Sequence, residues 1–213
     1  CMSEIFKGIH VIIESCNKGG LYMKEIIQKI YGGPEMLEVV EVPKPTIDEK
    51  SVLIELHIAN IASGDMRVNT LDVPFGLKTI MKLVMGWKGP RKQIRGITGS
   101  GIVAETGKEV TKYSMGDRVY FINSMKAGVM AEYIKLPEKA VMAKIPNDMS
   151  FEEAAPLAFG AMSAYHFINK KNIKKDDKVL ILGASGSVGS YALQLAKYYG
   201  GEVTAVCSLK NHK

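Results

Sequence analysis

Gly183, Gly186 and Gly189 stand three residues apart between a short apolar run and a helical pattern, and glycines so placed can cradle a phosphate. The run Val179-Leu180-Ile181-Leu182 is continuous, as in a parallel strand buried on both faces. Val188, Ala192, Leu195, Ala196 and Tyr199 then keep a 3.6-residue period, and Gly200 suits a left-handed helix cap. Glu202 to Cys207 supplies a second strand. In such a βαβ unit the first glycine allows the tight turn, the second lets backbone approach a pyrophosphate, and the third lets helix pack on strand. Gly183, Ala184, Ser185, Gly186, Ser187, Val188 and Gly189 are therefore the candidate dinucleotide contacts. A purely structural turn also uses glycine. The complete strand, helix and second strand favour nucleotide binding over that reading.

The end of the second strand bears on which nicotinamide cofactor fits. An NAD site places Asp or Glu there, roughly 20 residues past the first glycines, against the ribose 2'-hydroxyl. Here Ser208, Leu209, Lys210 and Asn211 follow instead. A hydroxyl, an ammonium and an amide suit a 2'-phosphate, with no carboxylate to repel it, so Ser208, Lys210 and Asn211 point to NADP(H). A solvated polar loop uses the same residue types.

These groups need elements to hold them. At 213 residues with 46% hydrophobic composition the chain builds a globular core of one large or two modest domains. The net charge of +6 comes from scattered lysines. The cluster Lys170, Lys171, Lys174, Lys175 and Lys178 alternates with Asp176 and Asp177 and reads as a connector, with no interleaved aromatics to stack bases. No nucleic-acid or membrane partner is expected. The uncharged run Ala154 to Asn169 is too short to span a bilayer and holds Pro156 and Gly160. Cys1, Cys16 and Cys207 show no paired spacing, which suits a reducing, cytoplasmic setting.

Residues 1–22 lack periodicity. Lys18-Gly19-Gly20 can be encoded by a bacterial ribosome-binding sequence just before Met23, so residues 1–22 are expected to be a translated leader or a disordered extension. From Met23 the pattern is β-rich. Val52, Ile54, Leu56 and Ile58 alternate with Leu53, Glu55 and His57, and the segments from Ser100, Gly116 and Ala127 are short strands bounded by glycine turns, as in a small barrel or sandwich. Between Pro74 and Gly86, Leu77, Ile80, Met81 and Val84 share a helical face expected to pack as core. Ser150 and Glu153 form a capping box, Pro156 interrupts the short helix they start, and a second helix runs from about Gly160 to Ile168. The expected organisation is a β-rich domain over 23–150, then linker helices and the first part of an α/β dinucleotide domain over 151–213.

The GxxGxxG spacing resembles the quinone-reductase-type members of the medium-chain dehydrogenase/reductase superfamily. Tyr31-Gly32-Gly33-Pro34-Glu35, Gly101 to Val119, Ala127-Gly128 with Ala131-Glu132-Tyr133, and Glu152-Glu153-Ala154-Ala155 are similar to that superfamily's GroES-like domain. Ser63-Gly64-Asp65 through Pro90-Arg91 resembles a branch labelled NADP-dependent alcohol dehydrogenase or quinone reductase. The resemblance implies a GroES-like β domain followed by a Rossmann βαβ unit, an NADPH-dependent oxidoreductase acting on a small carbonyl or quinone substrate, and a homodimer when full length. A different reading stays open. Some zinc-free relatives bind NADPH without established turnover, so an NADPH-binding regulatory protein or a zinc-free alcohol or aldehyde dehydrogenase-like protein is the alternative.

Zinc-dependent relatives need Cys, His with Glu, and Cys around the catalytic metal. Aligned by motif, this chain has Ala62, Ile97 with Thr98, and Phe159 there, so no metal is expected. His57, His166 and His212 show no ligand spacing. Without a Lewis acid, alcohol oxidation loses its usual alkoxide stabilisation, while reduction of an activated C=C stays feasible. The resemblance makes Ser63, Asp65 and Ser163 the candidate proton donors or polarising groups. Asp65 fits a helix cap as well, and Ser163 fits a hydroxyl bonded back to a helical carbonyl. It also sets the Leu77–Val84 stripe near the substrate mouth. A Rossmann domain needs further strands beyond Lys213, so these residues are expected to be C-terminally incomplete, poorly soluble or oligomeric, and inactive alone.

Overall fold

A computed structural model describes residues 20–123 and 127–211. Residues 1–19, most of the expected leader, lie outside the described residues, as does His212. The chain divides at Ala155/Pro156 into two compact units.

The first unit is built on strand β3 (Ser51–Asn60). With β4 (Thr98–Thr106), β5 (Arg118–Ile122), β6 (Tyr133–Pro137) and β7 (Val141–Lys144) it forms an antiparallel five-stranded sheet in the order β6-β3-β4-β5-β7. The period-two alternation of β3 sends Val52, Ile54 and Leu56 to one face, where they pack with Val103, Val119, Phe121, Val129, Ile134 and Leu136. Leu53 goes to the opposite face, against Met23, Ala131 and Tyr133. That second face is therefore covered at Leu53 and opens only towards Glu55 and His57. A hairpin of β1 (Tyr22–Gln28) and β2 (Leu37–Pro43) supplies Met23, and single bridges join Glu25 to Ala131 and Ile27 to Ile94. Tyr22, assigned to the leader from sequence, is thus the first residue of β1 and pairs with Pro43.

Two helices connect β3 to β4. Helix α1 (Ser63–Thr70) ends on Leu71, whose φ of 54° is left-handed, and α2 (Phe75–Met85) follows. The apolar stripe of α2 was expected in the core, yet no residue of this helix is buried. The helical period is present over Phe75–Met85. Burial needs an apolar partner across the stripe, and none of the described residues supplies one.

The unit closes with the short helix α3 (Phe151–Ala154). Ser150 Oγ accepts the Glu153 N–H at 3.2 Å and Glu153 Oε2 accepts the Ser150 N–H at 2.8 Å, the reciprocal box the sequence implied. Phe151 stacks on His57 with ring centroids 4.4 Å apart, and the Arg118 guanidinium lies 4.6 Å from the same ring. The buried Ser100 hydroxyl donates to the Phe151 carbonyl at 2.7 Å. His57 is accordingly a packing residue.

The second unit is a βαβ unit preceded by a helix: α4 (Gly160–Lys171), β8 (Lys178–Leu182), α5 (Ser187–Tyr198) and β9 (Glu202–Val206), with β8 and β9 parallel. Ile168, Ile181, Ala184 and Ala196 form its core. The expectation that β8 is buried on both faces is corrected: Ile181 faces the core, while Leu180 is exposed and Leu182 is 73% exposed. Successive side chains alternate across a strand, and the face carrying Leu180 and Leu182 has no covering layer among the described residues. Among the described residues no helix is long and apolar enough to cross a membrane.

Ser100→Ala should lower the unfolding free energy by about 0.5–1.5 kcal/mol, because it removes the hydroxyl bond to the Phe151 carbonyl, which keeps only the Ala155 N–H as donor. Urea unfolding followed by circular dichroism measures this, and an unchanged midpoint would show that the bond does not hold α3 to the sheet.

Candidate functional site

The glycine turn of the second unit is shaped by what its residues lack. Gly183 has φ of 72°, the left-handed region, which sharpens the exit from β8. A Cβ on Gly189 would sit 2.3 Å from the Gly183 carbonyl oxygen, so only glycine lets the first turn of α5 lie this close to the strand end. At Gly186 a Cβ would sit 3.3 Å from that same backbone oxygen, a tight contact that the turn would have to relieve by a few tenths of an ångström. A backbone that carries no side chain at this point is what an approaching phosphate needs.

Helix α5 begins at Ser187 with Gly186 as its N-cap, and its first turn bonds through Ser190 N–H to the Gly186 carbonyl at 2.9 Å. The N–H groups of Ser187, Val188 and Gly189 precede that bond and have no acceptor within the helix. They sit at the positive end of the helix dipole. The Gly183 and Ala184 N–H groups both donate to the Val206 carbonyl, at 2.9 and 3.0 Å, which ties the glycine turn to the end of β9.

That tie brings the two sequence-derived cofactor segments together. Asn211 Nδ2 donates to Ser185 Oγ at 2.9 Å and to Ser208 Oγ at 3.2 Å, joining the turn before α5 to the loop after β9. Ser208, Lys210 and Asn211 are all exposed, and residues 203–211 contain no carboxylate. The donors of the Asn211 amide are used on the serines, while the Ser208 hydroxyl hydrogen and the Lys210 ammonium remain available to an anion. A dinucleotide fits these residues: amides for a pyrophosphate, and hydroxyl with ammonium for a 2'-phosphate.

The candidate catalytic residues are divided between the units. Ser63 is the exposed first residue of α1. Asp65, two residues on, is buried, and its Oδ2 accepts the Ala62 N–H at 2.9 Å. This is half of a capping box, since Ala62 has no side-chain acceptor to return the bond. The helix-cap alternative for Asp65 is therefore present in the structure. Burial pushes the Asp65 carboxyl above its usual range, opposed by the Ala62 bond and by the nearby charge of Arg95. Ser163 is half-buried in α4, and its hydroxyl donates to no carbonyl among the described residues. The alternative of a bond back to the helix is thus not what the structure contains.

Sequence reading missed the groups that face Asp65. Arg95 is only 5% exposed, and its Nε donates to Asn69 Oδ1 at 2.6 Å. Asn69 lies one turn after Asp65 on the same side of α1. The Asn69 carbonyl in turn accepts the Gly32 N–H at 2.9 Å and Gln28 Nε2 at 3.1 Å. Burial lowers the affinity of Arg95 for its proton, and Asp65 and Tyr31 oppose that. In sequence Arg95 looks like one more cation after Arg91 and Lys92, and no periodicity marks it as buried. Thr98, one of the aligned metal positions, accepts a hydrogen bond from Asn60 Nδ2 through its Oγ1 at 3.1 Å. Among the described residues no three His, Cys, Asp or Glu side chains are grouped as a metal site needs.

Comparison with known proteins places this geometry. Residues 48–147 match the alcohol dehydrogenase GroES-like domain family. The chain is 31% identical over 187 residues to a chloroplastic quinone-oxidoreductase homolog of Spinacia oleracea, covering 84% of this chain and 54% of that protein. It is 31% identical over 179 residues to the 2-methylene-furan-3-one reductase of Solanum lycopersicum, covering 80% and 43%. Among solved structures, the Escherichia coli quinone oxidoreductase complexed with NADPH superposes with a TM-score of 0.69 at 27% identity, covering 85% of this chain and 52% of that one. The chain thus spans about half the length of the relatives it matches. It belongs to the medium-chain dehydrogenase/reductase superfamily, in the quinone oxidoreductase-like branch, with a GroES-like domain of mixed α/β content around a curled antiparallel sheet.

Asp65→Asn keeps the acceptor for the Ala62 N–H and removes the titration. A carboxyl raised by folding contributes stability that is full below its unfolded pKa, about 3.9, and is lost as pH rises through the folded value. The stability difference should therefore move in favour of the Asn variant between acidic and neutral pH. Urea unfolding at several pH values tests this, and a difference independent of pH would contradict it.

Proposed function

We propose that this chain forms the GroES-like domain and dinucleotide cradle of a zinc-independent, NADPH-dependent reductase of quinones or α,β-unsaturated carbonyls. The observation that carries the cofactor half of the reading is the Asn211 amide bonded to both Ser185 and Ser208, which joins the pyrophosphate turn to the 2'-phosphate loop. The relatives named quinone oxidoreductase and 2-methylene-furan-3-one reductase support the substrate class. Non-ligating side chains at Ala62, Ile97 and Phe159 support zinc independence.

The nicotinamide, when bound, supplies two electrons and one hydrogen nucleus to an electron-poor carbon of the substrate. Each reduction also consumes one proton, which a side chain or water must deliver to the oxygen or the neighbouring carbon. Ser63 and Ser163 carry the hydroxyls proposed to donate or polarise. We assign Asp65 to orientation of the first turn of α1, because its Oδ2 is already engaged by the Ala62 N–H. The N–H groups of Ser187, Val188 and Gly189 hold the pyrophosphate, and Ser208 with Lys210 holds the 2'-phosphate.

Titration with NADPH and NADH tests the cofactor assignment. NADPH should bind more tightly, and Lys210→Glu should erase or reverse that preference by replacing attraction with repulsion. Equal dissociation constants in the unaltered protein would reject it.

Metal independence has its own readout. Chelator should leave enone-dependent NADPH oxidation by the full-length protein unchanged, and elemental analysis should find no stoichiometric zinc. Activity lost on chelation and restored by zinc would overturn the alignment at Ala62, Ile97 and Phe159. Tight NADPH binding by the full-length protein without oxidation of any enone or quinone would favour the regulatory alternative.

A further inference from the structure

Helix α2, which the resemblance sets near the substrate mouth, and the loop after it hold none of the residues assigned above to cofactor or proton transfer, and they combine two properties. The first is an apolar side left open. At 100° per residue, Leu83, Ile80, Val84 and Leu77 span one continuous arc of the helix, and all four are exposed, Leu83 by 70%. Phe75 at the start of the helix is 95% exposed, and Trp87 just beyond its end is 64% exposed. The second is charge of one sign. Residues 73–104 hold Lys78, Lys82, Lys88, Arg91, Lys92 and Arg95 and no Asp or Glu, the nearest preceding acid being Asp72. Arg95 is buried; the other five are not, and none of these five is ion-paired among the described residues.

We propose that α2 with Trp87 is a surface that docks on an anionic lipid bilayer, the helix lying in the plane of the headgroups with its Leu77, Ile80, Leu83 and Val84 side inserted. Charge complementarity selects this occupant. Lys78 and Lys82 lie on the arc opposite the apolar side, and Lys88, Arg91 and Lys92 follow on the adjoining loop. This is the distribution that pairs insertion of an apolar stripe with attraction to acidic headgroups. Trp87, with the Lys82 ammonium 5.9 Å from its ring, has the amphipathic character that favours the boundary between chain and headgroup. The helix has eleven residues, so it lies on a bilayer and cannot cross one. The expectation of no membrane partner is revised for this face.

Trp87 is the single tryptophan of the chain, so its fluorescence reports this surface alone. Protein titrated with phosphatidylcholine vesicles containing phosphatidylserine should show a blue shift and co-sediment with the lipid. Pure phosphatidylcholine should give neither. Binding should weaken as salt is raised, and Lys78→Gln or Lys88→Gln should each reduce it about five-fold. Leu83→Gln and Val84→Gln alter exposed positions, leave the circular dichroism spectrum unchanged, and should abolish the blue shift. Three results would overturn the proposal: no shift with acidic vesicles, equal binding to neutral vesicles, or a blue shift that grows with protein concentration without lipid. The last would identify a second copy of the chain as the occupant.

Discussion

A side chain on residue 189 would collide with the carbonyl of residue 183, and much of the second unit follows from that single close approach. It lets the start of α5 lie against the end of β8, so the helix's unpaired N–H groups open beside the strand's last residue. The turn is short enough for Gly183 and Ala184 to reach the Val206 carbonyl, which fixes the end of β9 beside it. With β9 held there, the loop after it brings Asn211 to Ser185. The phosphate-facing amides and the residues that would read the far ribose are consequences of one steric fact, transmitted through backbone hydrogen bonds.

The first unit positions its polar groups differently, by burying them. Asp65 and Asn69 lie a turn apart on α1 and face inwards, where Arg95 meets Asn69 through a 2.6 Å bond. Burying charge is costly, and such a group persists only where hydrogen bonds and opposite charge offset the loss of water. Asn69 also accepts from Gly32 and Gln28, so α1 is linked to the loop after β1 and to the entry of β4. Rotation of α1 about its axis would break all of these bonds together. Ser63, exposed on the same helix, is held in place by this internal network.

The strands, the capping box and the glycine turn were legible in the sequence because each rests on a local rule. Alternation in β3 depends on the pleat, the box on residues three apart, and the turn on φ at Gly183. Errors arose where burial depends on what lies across an element. The β8 run Val179–Leu182 reads as buried on both faces, yet only Val179 and Ile181 turn to the core, and Leu180 and Leu182 are exposed. The α2 stripe has a sound period and no partner. Arg95 was overlooked for the converse reason: its burial is set by Asn69, distant in sequence, and nothing in the run Arg91-Lys92-Gln93-Ile94-Arg95 distinguishes it from its solvated neighbours.

Both proposed binding surfaces divide labour between rigid backbone and solvated charge. At the glycine turn, amide direction is fixed by the approach of Gly189 to Gly183, whereas Lys210 is exposed and its contribution is screened by salt. Geometry therefore governs whether a pyrophosphate seats, and the ammonium governs discrimination at the ribose. On α2 the apolar arc sets how deeply a surface can be entered, and the lysines set which surface is approached. Charge alone on either surface would attract many anions without ordering any of them. The fixed amides at one surface and the apolar arc at the other convert that attraction into a defined orientation.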